Sequence, residues 1–170
     1  MFWLFALVAA AVILFGFVVL FGAPYLPTLR LTQAEALELL ALKPGQTLLE
    51  LGSGDGRMLK AAAKKGIHAT GYELNPLLVI YSRAATWRYR QLVTVKFANF
   101  WAVKLPPCDG IYVFLLDKYM PKLHNKVTRE ISNSIKLVSY AFQIPGKQAI
   151  TDRNGLYLYK YTTPRKPSAS

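Results

Sequence analysis

The chain has 170 residues, of which 53% are hydrophobic and 18% are charged. This composition fits one folded domain and excludes a disordered chain, a collagen and a disulfide scaffold, because Cys108 is the single cysteine. The net charge is +12 at pH 7, and the first charged side chain in the sequence is Arg30. The sequence therefore joins an uncharged apolar arm to a strongly basic domain.

Residues 1–22 form the apolar arm and carry no charged side chain. As a helix this arm would span about 33 Å, which is enough to cross a hydrocarbon core of about 30 Å. A cleaved signal peptide would need basic residues before the apolar run and small residues after it, whereas this arm ends in Pro24 and Pro27. We therefore predict one N-terminal transmembrane anchor at 1–22, followed by a linker at 23–31.

Every basic side chain follows the predicted anchor. The positive-inside bias then predicts a single-pass protein with its folded domain on the cytoplasmic side. Anionic lipid attracts Lys and Arg near the membrane by about 1 kcal/mol each. We thus expect the lipid bilayer, and not nucleic acid, as the partner of the basic surface. No metal is expected, because His68 and His124 are the only histidines and lie far apart in the sequence.

Residues 32–161 show alternating strand and helix patterns. Strands are predicted at 46–51, 68–73, 92–97, 111–116 and 135–142, with a final hairpin of strands at 148–151 and 156–161. Helices are predicted after the capping box that starts at Thr32, at 57–65, from Pro76 to about residue 90, and at 121–132. A disordered tail is predicted at 162–170.

This alternation predicts an α/β fold with a Rossmann-like, doubly wound sheet that is mostly parallel and ends in an antiparallel hairpin. The very apolar fourth strand is expected at the centre of the sheet. In such folds the ligand binds at the carboxyl ends of the strands.

A glycine turn, Gly52-Ser53-Gly54-Asp55-Gly56, lies between the first strand and the next helix. A dinucleotide fingerprint would place its third glycine at residue 57, and Glu50 would lie unfavourably beside a pyrophosphate. Glu50 instead suits a positively charged amino group. Glu73 ends the second strand, 21 residues after Gly52, where a carboxylate accepts hydrogen bonds from ribose hydroxyls. The expected ligand therefore has a ribose and a positive charge and needs no phosphate. S-adenosylmethionine fits this description.

These motifs resemble those of the class I S-adenosylmethionine-dependent methyltransferases. The chain more closely resembles the membrane-anchored family that contains the lysine N-methyltransferases of the ATP synthase C-subunit and of the adenine nucleotide translocase. The matching segments follow the family order and are Pro24–Thr28, Leu51–Arg57, Gly71–Pro76, Tyr81–Arg83, Asn99–Trp101, Val113–Leu115 and Ala141–Gly146.

The resemblance implies S-adenosylmethionine as the cofactor and a lysine of an integral membrane protein as the acceptor. By position, Glu50 would face the amino group of the cofactor and Glu73 its ribose hydroxyls. The residues that the resemblance places elsewhere around the cofactor are Gly52, Ser53, Gly54, Asp55 and Gly56 on the methionine and ribose side and Asn99 and Phe100 on the adenine side. Asn99 departs from the family, which usually has aspartate there.

Asp117 and Tyr119 follow the fourth strand and are the candidate catalytic residues. Asp117 has two interpretations: an N-cap of the next helix, or a carboxylate that orients the substrate amine. Methylation of a lipid or small hydrophobic molecule remains an alternative function, as does a non-catalytic cofactor-binding membrane module. Cys108 precedes the fourth strand, on the wrong side for a nucleophile.

Overall fold

The computed structural model describes residues 2–6, 9 and 30–162. Residues 2–6 and residue 9 are helical. Most of the predicted anchor, most of the linker and the tail from residue 163 lie outside the described residues. Within the described ranges, no helix is both long and apolar enough to cross a bilayer.

Seven strands and four α-helices form the described domain. The strands are β1 (Thr47–Leu51), β2 (His68–Glu73), β3 (Val93–Phe97), β4 (Gly110–Val113), β5 (Ile135–Tyr140), β6 (Thr151–Arg153) and β7 (Leu156–Tyr161). The helices are α1 (Arg30–Leu40), α2 (Arg57–Lys64), α3 (Pro76–Ala85) and α4 (Met120–Glu130), with short 3-10 turns at Trp87–Tyr89 and Asp117–Tyr119.

The strands form one sheet in the order β3-β2-β1-β4-β5-β7-β6. The first five strands are parallel to one another, and β7 pairs antiparallel with both β5 and β6. This confirms the predicted doubly wound sheet, its central β4 and a C-terminal hairpin. The predicted bounds of two strands were wrong: β4 ends at Val113 instead of residue 116, and β6 lies at Thr151–Arg153 instead of 148–151. β6 reaches Arg153 because Asn154 and Gly155 alone form the turn, both with positive φ. The strand order reverses between β1 and β4, and ligands bind at this switch point in open α/β sheets.

Side chains that alternate along the strands build two hydrophobic cores, one on each face of the sheet. Leu48 lies in the core that α1, α2 and α3 cover, and Leu49 lies in the core that α4 covers. The long connection between β3 and β4 adds Phe100 and Leu105 to the second core. This arrangement leaves the loops at the carboxyl ends of β1, β2, β3 and β4 free to form a site.

Two helix boundaries differ from the predictions. The capping box was wrong, because α1 begins at Arg30 and places Thr32 inside the helix. The Asn75 cap is confirmed, since its Oδ1 accepts the Leu77 N–H at 2.9 Å. The helix that follows ends at Ala85 instead of near residue 90. There the Thr86 hydroxyl donates to the carbonyl four residues earlier at 2.7 Å, and a 3-10 turn follows.

Candidate functional site

The glycine turn connects β1 to α2 through three left-handed residues. Gly52, Gly54 and Gly56 have φ angles of 87°, 53° and 76°. Residues with a Cβ adopt such angles only at a steric cost, whereas glycine adopts them freely. The N–H groups of Gly52 and Ser53 both donate to the Tyr72 carbonyl on β2 at 2.9 Å. A Cβ built on Gly52 would meet no atom within 4 Å, so the loop leaves open space there for a ligand.

Two close contacts behind the loop fix its position. A Cβ on Gly56 would overlap the Ser82 hydroxyl of α3, and a Cβ on Gly71 would come within 2.6 Å of Ser53. Ser82 is completely buried. Neither Gly71 nor Ser82 was predicted from the sequence to take part in the site. A glycine inside a strand is a known sign of close backbone approach, and Gly71 pairs in register with Glu50.

Glu50 is the electrostatic centre of the site. Its side chain is buried, with the residue only 6% exposed, and its Oε2 has no hydrogen-bond partner among the described residues. Burial raises the pKa of the Glu50 carboxyl well above its ordinary value, and repulsion from Asp55 and Glu73 raises it further, against an opposing effect of Arg57. A positive group bound beside Glu50 would relieve both the burial penalty and the repulsion.

Glu73 holds the glycine loop against the end of β2. Its Oε2 accepts the Gly54 N–H at 2.8 Å, and its Oε1 accepts the N–H groups of Leu74 and Asn75 at 2.9 and 2.8 Å. A carboxylate has about four lone-pair sites, so these bonds leave limited capacity for ribose hydroxyls. Glu73, which is predicted to bind the ribose, therefore also orders the glycine loop. The sequence did not predict this second part.

Asp55 is engaged in a local ion pair with Arg57. The guanidinium donates from Nε to Asp55 Oδ1 at 2.9 Å and from a terminal nitrogen to Oδ2 at 2.6 Å. This pair spans the start of α2 and places a carboxylate near the positive end of the helix dipole. The Asp55 side chain thus stabilises the turn by joining it to the first residue of α2.

Asn99 and Phe100 follow β3, next to Glu73. The Ala98 N–H donates to the Glu73 carbonyl at 3.1 Å, which joins this segment to the end of β2. The Asn99 side chain is exposed and its Oδ1 accepts the Trp101 N–H at 3.0 Å. Phe100 is buried, with its ring centroid 4.5 Å from that of Trp101.

Asp117 and Tyr119 lie on the turn between β4 and α4. No side chain caps the start of either the 3-10 turn or α4, so the N-cap interpretation of Asp117 is wrong. Asp117 is exposed, while Tyr119 is half-buried with its ring 6.0 Å from Trp101. The Lys118 Nζ lies 5.0 Å from the centre of the Tyr119 ring, and the Lys122 Nζ lies 4.6 Å from that of Trp101.

All the candidate site residues therefore lie at the carboxyl ends of four adjacent strands. The loop offers open space beside the buried Glu50 carboxylate, whose Oε2 has no hydrogen-bond partner among the described residues. The Glu73 carboxylate and the segment after β3 lie alongside. This arrangement fits a ligand that carries a cationic amino group and a neutral polar body. Cys108 lies elsewhere, next to the start of β4, and burial with the nearby Asp109 raises its thiol pKa to about 12, which disfavours a thiolate nucleophile.

Comparison with known proteins agrees with this geometry. The family profile described as the ANTKMT methyltransferase domain matches residues 50–151. A human ATP synthase C-subunit lysine N-methyltransferase is 35% identical over 72% of this chain and 53% of its own length. A mouse adenine nucleotide translocase lysine N-methyltransferase is 35% identical over 75% of this chain and 56% of its own. The chain thus spans about half the length of the curated relatives it matches.

A solved structure shows the same fold with a ligand of the expected chemistry. The RNA methyltransferase from Salinibacter ruber, determined in complex with S-adenosyl-L-homocysteine, superposes with a TM-score of 0.74. It is 25% identical in sequence, and the match covers 85% of this chain and 98% of that one.

Proposed function

Because the chain belongs to the ANTKMT methyltransferase domain family, we propose that it transfers methyl groups from S-adenosylmethionine to a lysine side chain of an integral membrane protein. The observation that carries the proposal is the buried Glu50 beside the open glycine turn, with its Oε2 lacking a hydrogen-bond partner among the described residues. Two relatives, whose names specify lysine methylation of the ATP synthase C-subunit and of the adenine nucleotide translocase, support the acceptor.

Each site residue has a proposed part in binding the cofactor. Glu50 receives the amino group, and Gly52, Ser53, Gly54 and Gly56 form the loop against which the methionine and ribose lie. Glu73 contributes its remaining lone pair to a ribose hydroxyl while it orders Gly54. Asn99 and Phe100 lie at the adenine side. Asp55 is proposed to shape the loop and not to contact the cofactor, because its carboxylate already forms a bidentate pair with Arg57.

The bound cofactor supplies a sulfonium methyl group that is transferred by direct displacement. The protein must therefore align the acceptor and favour its neutral form. A lysine with a pKa near 10.4 is disfavoured in its neutral form at pH 7 by about 4.6 kcal/mol. Lys118 and Lys122 border the rings of Tyr119 and Trp101, and their positive charges lower the pKa of an incoming amine. Asp117 and Tyr119 are proposed to orient that amine as it enters.

The apolar arm is proposed to hold this site at the membrane. Residues 1–22 would cross the bilayer once, with the catalytic domain on the cytoplasmic side. Residues 23–29 reach at most about 25 Å when extended. The site would then be confined to a thin layer above the lipid headgroups, where the effective concentration of membrane-protein lysines is high.

A deletion that ends at Gly22 tests the proposed tether. S-adenosylmethionine affinity should be nearly unchanged, while methylation of proteins in intact membranes should fall strongly. Equal methylation rates for the truncated and full chains would make the tether irrelevant and would favour an acceptor outside the membrane.

The acceptor class is tested by following radiolabel from S-adenosylmethionine into membrane fractions. The proposal predicts label in protein. Label in extracted lipid would instead support methylation of a lipid, and label in nucleic acid would support the acceptor class of the Salinibacter ruber enzyme. No transfer to any fraction, despite cofactor binding, would favour a binding module without catalysis.

A further inference from the structure

Four large apolar side chains on α3 and the turn after it face solvent. Leu77 and Tyr81 are each 60% exposed, and Ile80 and Trp87 are each 65% exposed. Positions 77, 80 and 81 lie on one side of a helix, so these three side chains form a stripe, and Trp87 follows in the 3-10 turn after the helix. We call Leu77, Ile80, Tyr81 and Trp87 together the α3 outer face.

The surroundings of the α3 outer face are positively charged. The sequence from residue 74 to residue 108 contains no Asp or Glu and carries five basic residues: Arg83, Arg88, Arg90, Lys96 and Lys104. Arg88 and Arg90 are exposed, and the Arg90 guanidinium lies 5.0 Å from the centre of the Trp87 ring. Arg83 is already engaged, because it donates to the Val95 carbonyl at 2.9 Å.

The α3 outer face is structurally linked to the cofactor site. α3 begins at Pro76, three residues after Glu73, and its opposite side places the Ser82 hydroxyl against Gly56 of the glycine turn. Phe97, at the carboxyl end of β3, is also 59% exposed. A surface that engaged the outer face would therefore lie close to the edge of the sheet where the cofactor and acceptor meet.

We propose that the α3 outer face docks on an anionic lipid bilayer. Its apolar side chains would enter the boundary between headgroups and acyl chains, with Arg88 and Arg90 on lipid phosphates. Exposed Trp, Tyr, Leu and Ile flanked by arginine and free of acids is the composition of an interfacial surface. The uncharged arm at residues 1–22, proposed above to cross the bilayer, would bring the same chain to a membrane. The inference rests on the proposed function for the membrane anchor and for its purpose, which is to turn the carboxyl ends of the strands towards membrane-protein lysines.

Site-directed labelling of the full chain in vesicles tests the docking. An environment-sensitive fluorophore is attached to the cysteine of Ile80→Cys. The matched control is Ile150→Cys, because Ile150 is 61% exposed and precedes β6, at the opposite edge of the sheet from β3. The buried Cys108 should not react, and the unsubstituted chain checks this. With acyl-brominated lipids, the label at residue 80 should be quenched in vesicles that contain anionic lipid and not in neutral vesicles. The label at residue 150 should remain in water in both.

The charge dependence provides a second readout. Combining Arg88→Gln and Arg90→Gln should lower the docked-to-undocked ratio about fivefold for each charge removed. Lys64→Gln with Lys65→Gln removes the same charge from exposed residues at the end of α2, and should leave quenching at residue 80 unchanged.

Three results would overturn the docking proposal. In the first, the label at residue 80 stays in water when anionic lipid is present. In the second, the label is quenched equally in neutral vesicles. In the third, the label is shielded from water but is not quenched by the brominated lipid. The last result would assign the face to a protein contact. Cofactor affinity measured in the same vesicles separates this failure from failure of the proposed function, since loss of docking with intact cofactor binding rejects the docking alone.

Discussion

Replacing Glu50 by glutamine tests the electrostatic logic of the cofactor site. The substitution keeps the shape of the side chain and removes the charge proposed to receive the amino group of the cofactor. Hydrogen bonds to charged groups contribute about 1.5–3 kcal/mol, which corresponds to a loss of affinity of roughly 10- to 100-fold. S-adenosylhomocysteine is the suitable ligand for calorimetry, because it keeps the amino group but cannot donate a methyl group.

The pH dependence of that affinity carries the sharper information. The pKa of Glu50 is raised in the ligand-free protein, and a bound ammonium group favours its ionised form. Ligand binding should therefore release a proton, and affinity should rise with pH until the raised pKa of Glu50 is passed. In Glu50→Gln the rise should be absent. Glu38→Gln, on an exposed acid of α1, is the control for the same chemical change.

The stability of the ligand-free protein should change with the opposite sign. The folded-state pKa of Glu50 lies above its unfolded value, so the unfolded chain loses this proton at lower pH. Stability is therefore lost as pH rises through the interval between the ordinary and the raised pKa. Glu50→Gln should lack this loss in thermal unfolding. If Glu50→Gln bound S-adenosylhomocysteine as tightly as the parent protein and with the same pH profile, Glu50 would not receive the amino group of the ligand.

Four further substitutions, two of them combined in one double-mutant cycle, test how the site and its surroundings are held together. Gly71→Ala should push Ser53 and the glycine turn outward, lowering stability by about 1–3 kcal/mol and weakening S-adenosylhomocysteine binding; an unchanged melting temperature and affinity would contradict the close contact. Gly56→Ala should destabilise more, and Ser82→Ala should recover part of that loss in a double-mutant cycle, whereas simple additivity would argue against their contact. Lys126→Met should cost about 1–3 kcal/mol in denaturant unfolding, because the mostly buried Glu130 carboxylate loses its lysine partner and keeps only the Leu105 N–H and the exposed Arg129; no measurable cost would show that the pair is not structurally important.

Local sequence signals predicted the order and type of the strands, and the bounds of β4 and β6 less well. Apolar runs bounded by Gly, Pro and Asn marked the strands, and the alternating Leu156–Tyr161 segment after Asn154-Gly155 marked the hairpin. Asn75 before Pro76 predicted a helix start correctly, because the cap involves only residues 75–78 and is therefore visible in the local sequence. The capping box at Thr32 failed because α1 begins before it, so the local pattern did not determine the boundary.

The sequence predicted where the candidate site residues lie in the sheet, but not the contacts that they make. Spacing alone located Glu50, the glycine turn and Glu73 at neighbouring strand ends. The three backbone N–H groups that Glu73 accepts, and the packing of Gly56 on Ser82, depend on the tertiary placement of α3 and the loop. No periodicity in the sequence encodes these contacts. Asp117 was similarly ambiguous until the first turn of α4 was seen to lack a side-chain cap.

Identification of the methylated atom tests the central claim most directly. Membrane proteins labelled by the full chain with radioactive S-adenosylmethionine would be hydrolysed in acid and their amino acids separated. The account predicts label in N-methylated lysine. It also predicts that Gly54→Val, which places a β-branched residue at a φ of 53°, abolishes that label in parallel with cofactor binding. Label in methylated arginine, label released as methanol by mild base before the hydrolysis, or undiminished labelling by Gly54→Val would contradict it.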